Sequence, residues 1–422
     1  MTARRAPAGV DERQRAIVVI SAAVGAGHDG AARELARRLQ RQGFRVDHLD
    51  VLDAFPWRMG RLISGVYHGL LTRAPWSYAA LFAITNRSRN TTPVAQRLLS
   101  PLRRRLRRLL PPETHAVVST YPFASQVLGS LREQGELDVP VIAYLTDFSV
   151  HPLCVAPGVD MYCAAHPETA VRARALGAQD VRVVAPLVSD RFRPATAGTK
   201  RQARQKFGLP EEGRIALLVA GSWGVGDVET TATEVARTRA AIPVVVCGRN
   251  AALHRRLSRR VRHVFGWVDD MPTLMRAVDV VVENAGGLTC LEALASGLPV
   301  ATYRPIPGHG TANAAIMAGA QVASWIRRSD VLESALIRLM NEGPQDRSMA
   351  GPRGRTDLDA ATVVAATALA TKPLRDADQV RHESRVRRLA AVASVLVSTM
   401  HARPATPPNR ARTDNGNGNP EG

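Results

Sequence analysis

The sequence predicts an α/β protein of two doubly wound, Rossmann-like domains facing a central cleft. Near the N-terminus, the apolar run Ile17 to Ser21 ends in glycines. Alanine-rich periodic sequence follows from Asp29 to Gln42, then a second strand at Arg45 to Asp50, which is how a parallel α/β domain begins. After a polar stretch near residue 190 the same rhythm starts again. The 422 residues suffice for two cores of ordinary size.

The remaining strand candidates of the first half are Ala116 to Thr120, Val139 to Leu145, Met161 to Ala164 and Val181 to Val184. Those of the second half are Ile215 to Ala220, Val244 to Cys247, Val261 to Phe265, Val280 to Glu283 and Val300 to Tyr303. The chain divides into a polar leader (1–15), an N-terminal domain (16–188), a linker (189–200) and a C-terminal domain (201–345). C-terminal helices (346–403) and a Pro-, Asn- and Gly-rich tail (404–422) complete it.

The net charge is +19, and all but three of the 56 basic residues are arginine, the lysines being Lys200, Lys206 and Lys372. A GC-rich genome imposes the same bias, so the charge points only to phosphate-rich surfaces, whether anionic lipid or nucleic acid. No base-stacking module or helix-turn-helix pattern supports nucleic acid. The four cysteines form no C-x-x-C pair, which excludes a disulfide framework or zinc site and fits a reducing cytoplasm. No apolar run reaches the roughly 18–20 residues that span a bilayer. Arg4-Arg5 before Ala16 to Ala26 imitates a secretory signal, but Asp11 and Glu12 and the glycine–histidine loop read instead as the approach to a first strand.

Two glycine turns carry the chemistry. Gly25-Ala26-Gly27-His28-Asp29-Gly30 matches G-x-G-x-x-G, with Asp50 about 20 residues later, the dinucleotide fingerprint in its usual context. The loop's logic is wider than that cofactor, because bare backbone and a helix N-terminus receive any phosphate. His28 at that terminus is held in its neutral, basic form and suits a general base, or it merely packs the turn. In the second half, Asn284-Ala285-Gly286-Gly287-Leu288-Thr289-Cys290-Leu291-Glu292 repeats the strand–glycine–helix arrangement. Thr289 adds a hydroxyl, and Glu292, one turn in, is placed for ribose hydroxyls. Pro305 to His309 forms a rigid loop, with Asn313 four residues beyond His309 on one helix face.

The run G-G-L-T-x-x-E-A-x-x-x-G-L-P (Gly286 to Pro299), followed by P-x-P-G and a later Asn, resembles the donor site of the monogalactosyldiacylglycerol synthase and processive diacylglycerol glucosyltransferase family. Those enzymes are related to the N-acetylglucosaminyltransferase of lipid-linked peptidoglycan precursors. Gly25 to His28, Thr146-Asp147-Phe148 with His151, Gly221-Ser222-Trp223-Gly224 and Val264 to Val268 match further family segments in the same order, so the resemblance covers Ile17 to Met340. It implies a GT-B fold, a UDP-sugar in the C-terminal domain and a diacylglycerol-like acceptor in the N-terminal one. It also implies inverting transfer with His28 as base and Asp147 as an orienting or acceptor-side group.

Donor contacts carried over by resemblance are Gly221, Ser222, Phe265, Gly266, Val268, Gly286, Gly287, Leu288, Thr289, Glu292, Gly308, His309 and Asn313, while Gly25 and Gly27 form the acceptor-side phosphate loop. No cofactor or metal is implied, since loop amides meet the leaving diphosphate. Asp357 to Asp359 and Asp376 to Asp378 read as solvated charges. One departure stands out: the family's Gln-Glu after P-G is His309-Gly310 here, which leaves the sugar open.

Between Phe55 and Leu110, Trp57, Tyr67, Trp76, Tyr78 and Phe82 accompany the basic run Arg103 to Arg108. Leu98, Leu99, Leu102, Leu106, Leu109 and Leu110 recur at helical spacing. This reads as one basic amphipathic helix, suited to an anionic membrane or to ordinary packing on the sheet. The resulting expectation is a cytoplasmic glycosyltransferase peripheral to the inner face of the plasma membrane. The alternatives are a non-catalytic UDP-sugar or lipid binding protein, a UDP-sugar 2-epimerase and an NAD-dependent oxidoreductase.

Overall fold

The computed structural model describes residues 15–56, 59–87, 91–342 and 358–374. Trp57, Asp357, Asp376 to Asp378, the helix expected at Arg385 to Met400 and the tail 404–422 lie outside them. The first sheet contains β1 (Ala16–Ser21), β2 (Arg45–Asp50), β3 (Thr114–Ser119), β4 (Val141–Leu145), β5 (Met161–Ala164) and β6 (Val181–Val183), all parallel in the order β2-β1-β3-β4-β5-β6. The second contains β7 (Ile215–Val219), β8 (Ile242–Val246), β9 (His263–Phe265), β10 (Val280–Glu283), β11 (Val300–Tyr303) and β12 (Ser324–Ile326), parallel in the order β12-β11-β10-β7-β8-β9. Each order reverses beside the sheet's first strand, which opens a crevice at the carboxyl ends of the strands. Both glycine turns sit at that edge. Strand β12 was not expected: Ser324-Trp325-Ile326 is too short for its periodicity to register.

Helix α1 (Ala26–Arg41) begins three residues earlier than the alanine periodicity places it, so His28 falls within its first turn. The irregular stretch after the first domain ends at Thr196, whose side chain and that of Thr199 form a reciprocal cap on the helix Ala197–Lys206. The linker expected to reach residue 200 is shorter for that reason.

The expected single amphipathic helix is three pieces: α4 (Thr91–Leu99), a 3-10 turn at Ser100–Leu102, and α5 (Arg103–Leu109). Pro101 breaks it, since proline lacks the N–H that an uninterrupted helix needs there. Leu99, Leu102, Leu106 and Leu110 are buried in the first domain's core, while Leu98 and Leu109 are exposed. Arg103 pairs with Glu136, and Arg107 donates to the Glu136 carbonyl at 3.1 Å, so only part of the basic run faces solvent. Helices α2 (Met59–Arg73) and α3 (Pro75–Arg87) precede these pieces.

The helix Ala360–Leu369 returns to the first domain, where Ala361, Val364 and Ala368 join Leu35, Leu39 and Val118 in one cluster. Asp359 accepts from Arg38 at 2.6 Å and bridges Ala185.

Candidate active site

The two glycine turns meet face to face. Leu288 projects from the start of the helix Leu288–Ala295 onto α1, and a Cβ at Gly30 would lie 2.3 Å from its Cδ2. Ser222 Oγ accepts from Ala26 N at 3.2 Å and so caps α1 from the other domain. On the first turn, the N–H groups of Gly27 and His28 have no partner among the described residues. On the second, those of Gly287, Leu288 and Thr289 are equally free. The cleft is therefore lined on both sides by helix N-termini with open donors, an arrangement that receives anionic groups.

His28 Nδ1 lies 2.7 Å from the carbonyl oxygen of Thr120 and 3.1 Å from Thr146 Oγ1. A carbonyl only accepts, so Nδ1 carries the proton and Nε2 of the neutral ring is the basic nitrogen. Tyr121 meets the ring edge-on at 5.1 Å and fixes its plane. The orienting group expected at Asp147 is thus supplied by Thr120 and Thr146 instead. Asp147 faces the second domain, where it accepts from Asn313 Nδ2 at 3.4 Å. A Cβ at Gly287 would lie 2.9 Å from Asp147 Oδ1, and with φ at +65° only glycine fits that turn.

The segment Thr146 to Ser149 fastens one domain to the other. Phe148 is buried with Leu217 and Val244 in the second domain's core, and Ser149 N donates to Asn313 Oδ1 at 2.8 Å. Asn313, fully buried, also donates to the Ala285 carbonyl at 2.8 Å. Its amide is engaged within the protein, so it braces the domains rather than lining the cleft as a sugar contact.

His309 opens the helix His309–Gly319, and its Nδ1 lies 3.0 Å from the hydroxyl of Tyr78 in α3. Burial holds its imidazole below the usual range; the nearby Asp147 charge opposes that shift and His28 adds to it. Gly308 packs against Tyr78 and Phe82. The departure from the family at His309-Gly310 is therefore matched by an aromatic partner from the acceptor side.

Glu292 is half-buried, and its carboxyl has no hydrogen-bond partner among the described residues; burial pushes it up to about 8. Phe265 packs edge-on against Phe207 and Val268 lies against the same core, while the Trp267 side chain between them is exposed, with Arg249 over its ring at 4.3 Å. Gly221 adopts φ +66° in the turn leading to Ser222, and Gly25 adopts φ +150°, a conformation that side chains rarely take up.

The dinucleotide reading loses its ribose acceptor. Asp50 accepts from Ala23 N at 3.1 Å and Leu52 N at 2.8 Å, and Leu288 fills the space over Gly30. Thr120, Tyr78 and Glu283 went unremarked as site residues in the sequence. They reach the cleft through contacts across 92 to 231 residues, or by turning back on the following loop, and no local pattern marks them.

Comparison with known proteins agrees with the motifs. Residues 28–185 match the family model described as monogalactosyldiacylglycerol (MGDG) synthase. A processive diacylglycerol beta-glucosyltransferase of Bacillus pumilus is 29% identical over 236 residues, covering 54% of this chain and 61% of that protein. Its namesake in Bacillus cytotoxicus is 30% identical over 220 residues, covering 50% and 56%. Over these segments the chain is similar to diacylglycerol glycosyltransferases. It spans less than two thirds of the length of these curated relatives. Among solved structures, Arabidopsis thaliana UGT89C1 complexed with UDP-L-rhamnose superposes with a TM-score of 0.50 at 14% identity, covering 80% of this chain and 92% of that one. The fold is GT-B.

Proposed function

We propose that this protein moves a hexose from a UDP-sugar to a lipid-type, diacylglycerol-like acceptor, inverting the anomeric centre. The carrying observation is the contact of His28 with Thr120: Nδ1–H held on that carbonyl leaves Nε2 as the base, at the start of a helix whose N-terminus meets the second glycine turn through Leu288. The acceptor oxygen attacks the anomeric carbon as Nε2 takes its proton, and the bond to the diphosphate breaks with both electrons on UDP. The N–H groups of 287–289 and the positive end of their helix meet the charge that develops on the leaving group, so the step calls on no metal. Glu292, unpartnered and desolvated, receives the ribose hydroxyls.

The acceptor side argues for a membrane surface. Between Asp53 and Glu113 the chain holds eleven arginines and no carboxylate side chain. Leu62, Val66, Trp76, Ile84, Val94 and Leu98 are exposed on α2, α3 and α4, with Trp76 at 75% and Leu98 at 74%. Apolar side chains beside the exposed arginines Arg104, Arg105 and Arg108 fit an anionic bilayer. No described helix is long and apolar enough to cross a membrane, and the reading is peripheral attachment at the cytoplasmic face.

The test is a panel of radiolabelled UDP-sugars incubated with folded protein and membrane lipid extract. Label entering the lipid phase from one donor is the expected result, and no transfer from any donor overturns the proposal. UDP binding by calorimetry without transfer would indicate instead a non-catalytic binding protein, with the His309–Tyr78 contact in place of a sugar.

A further inference from the structure

Glu283 ends β10 immediately before the second glycine turn, and its side chain folds back on that turn. Oε2 accepts from Ala285 N at 2.7 Å and from Gly286 N, and Oε1 is bonded to Thr302 Oγ1 of β11. The residue is 3% exposed. The group electrostatically coupled to it is the buried thiol of Cys290 on the following helix, and no arginine, lysine or histidine opposes its charge among the described residues. A carboxylate therefore sits, without a counter-cation, directly behind the amides that are free for a diphosphate. By taking up the N–H groups of 285 and 286, it also determines that the open donors are those of 287, 288 and 289.

Resting on the UDP-sugar reading above, we infer that Glu283 is a positioning residue whose proton belongs to the donor site: a diphosphate seated on residues 287–289 draws a proton from solvent onto Glu283. The physical reason is repulsion. Two unit charges about 8 Å apart in an effective dielectric of about 20 repel enough to change an affinity roughly thirtyfold, and a proton on one of them removes it. The hydrogen bonds accommodate the neutral acid. Oε2 continues to accept from both amides, and the proton lies on Oε1 against Thr302 Oγ1, as a neutral carboxyl in an apolar site does. Burial pushes the carboxyl up in the free protein, in the direction that makes uptake easy.

Glu283→Gln builds in the neutral form, its amide oxygen accepting from 285 and 286 and its NH2 donating to Thr302. UDP is titrated calorimetrically into full-length protein between pH 6 and 8.5, in buffers of different ionisation enthalpy. The diphosphate and the other titrating groups of the site, Glu292 among them, contribute to both proteins alike, so the difference between them isolates Glu283. The wild type is expected to take up more protons on binding than E283Q and to lose affinity as pH rises. E283Q is expected to hold a flatter profile and to bind roughly ten- to thirtyfold tighter at the alkaline end. Equal proton uptake and equal pH profiles overturn the inference while leaving the UDP reading intact; no UDP binding by folded wild type overturns both. Should E283Q not fold, a UDP-induced infrared band of a protonated carboxyl that persists in Glu292→Gln supports the inference, and its absence there overturns it.

Discussion

At the scale of single residues, a hydrogen bond chooses the tautomer of His28 and burial the protonation of Glu292. The Thr120 carbonyl leaves His28 one basic nitrogen, and that nitrogen is the one available to an acceptor hydroxyl. His28→Ala should lower transfer by about 10²–10⁴-fold, the usual worth of a general base, while calorimetry finds UDP binding unchanged. Wild-type turnover in that variant would remove His28 from the chemistry. The carboxyl of Glu292, pushed up to about 8, binds a proton in the folded state at pH values where the unfolded chain has released it. Its contribution is therefore fully present below the ordinary carboxyl range and is lost as pH rises towards 8. Urea melts of the ligand-free protein should show wild-type stability falling between about pH 5 and pH 8, and Glu292→Gln should flatten that fall. Equal slopes in the two proteins would place Glu292 in solvent.

Among elements, the informative ones are α2 to α5. Their leucines divide at Pro101 into a buried set that docks on the sheet and an outer set that does not. Arg104, Arg105 and Arg108 are exposed and carry no ion pair among the described residues. Sedimentation with vesicles containing anionic lipid should therefore weaken along two separate axes. Trp76→Ser with Leu98→Ser should reduce binding at any ionic strength. Replacing the three arginines by glutamine should reduce it mainly at low salt, each near-surface charge being worth about 1 kcal/mol. Binding to neutral and anionic vesicles that neither set changes would remove this face from the membrane reading. Helix propensity and leucine spacing make α4 and α5 legible as helical and amphipathic. Which leucines are buried was not legible, because a proline-centred turn rotates one piece against the other.

For the whole molecule, the chain's return to its first domain holds the architecture together. Arg38 of α1 binds Glu34 at 2.7 Å and Asp359 at 2.6 Å and donates to the carbonyls of Pro186 and Val188, so one guanidinium joins the first domain, the exit to the second and the returning C-terminal helix. Arg38→Ala leaves Asp359 without its cation and the Pro186 and Val188 carbonyls without their donor, while Glu34 keeps Arg37 at 2.6 Å, and a loss of about 2–3 kcal/mol is expected by chemical denaturation. A loss below about 1 kcal/mol would show that water enters this junction freely.

The two sheets, their parallel character and the two glycine turns were determined by the sequence alone. Apolar runs such as Ile17 to Ser21 and Val280 to Glu283 can only be covered on both faces, and glycines before a helix admit only tight turns. The pairing of those turns was decided by the tertiary structure. Leu288 lies over Gly30, Ser222 caps α1, and Thr120 orients His28 because two domains close on each other, and contacts spanning 92 to 258 residues leave no periodic trace. The same holds for Asn313 and Glu283. Their residue types announce polar chemistry, but only burial and the partners within reach decide that one braces the domains and the other shapes the turn.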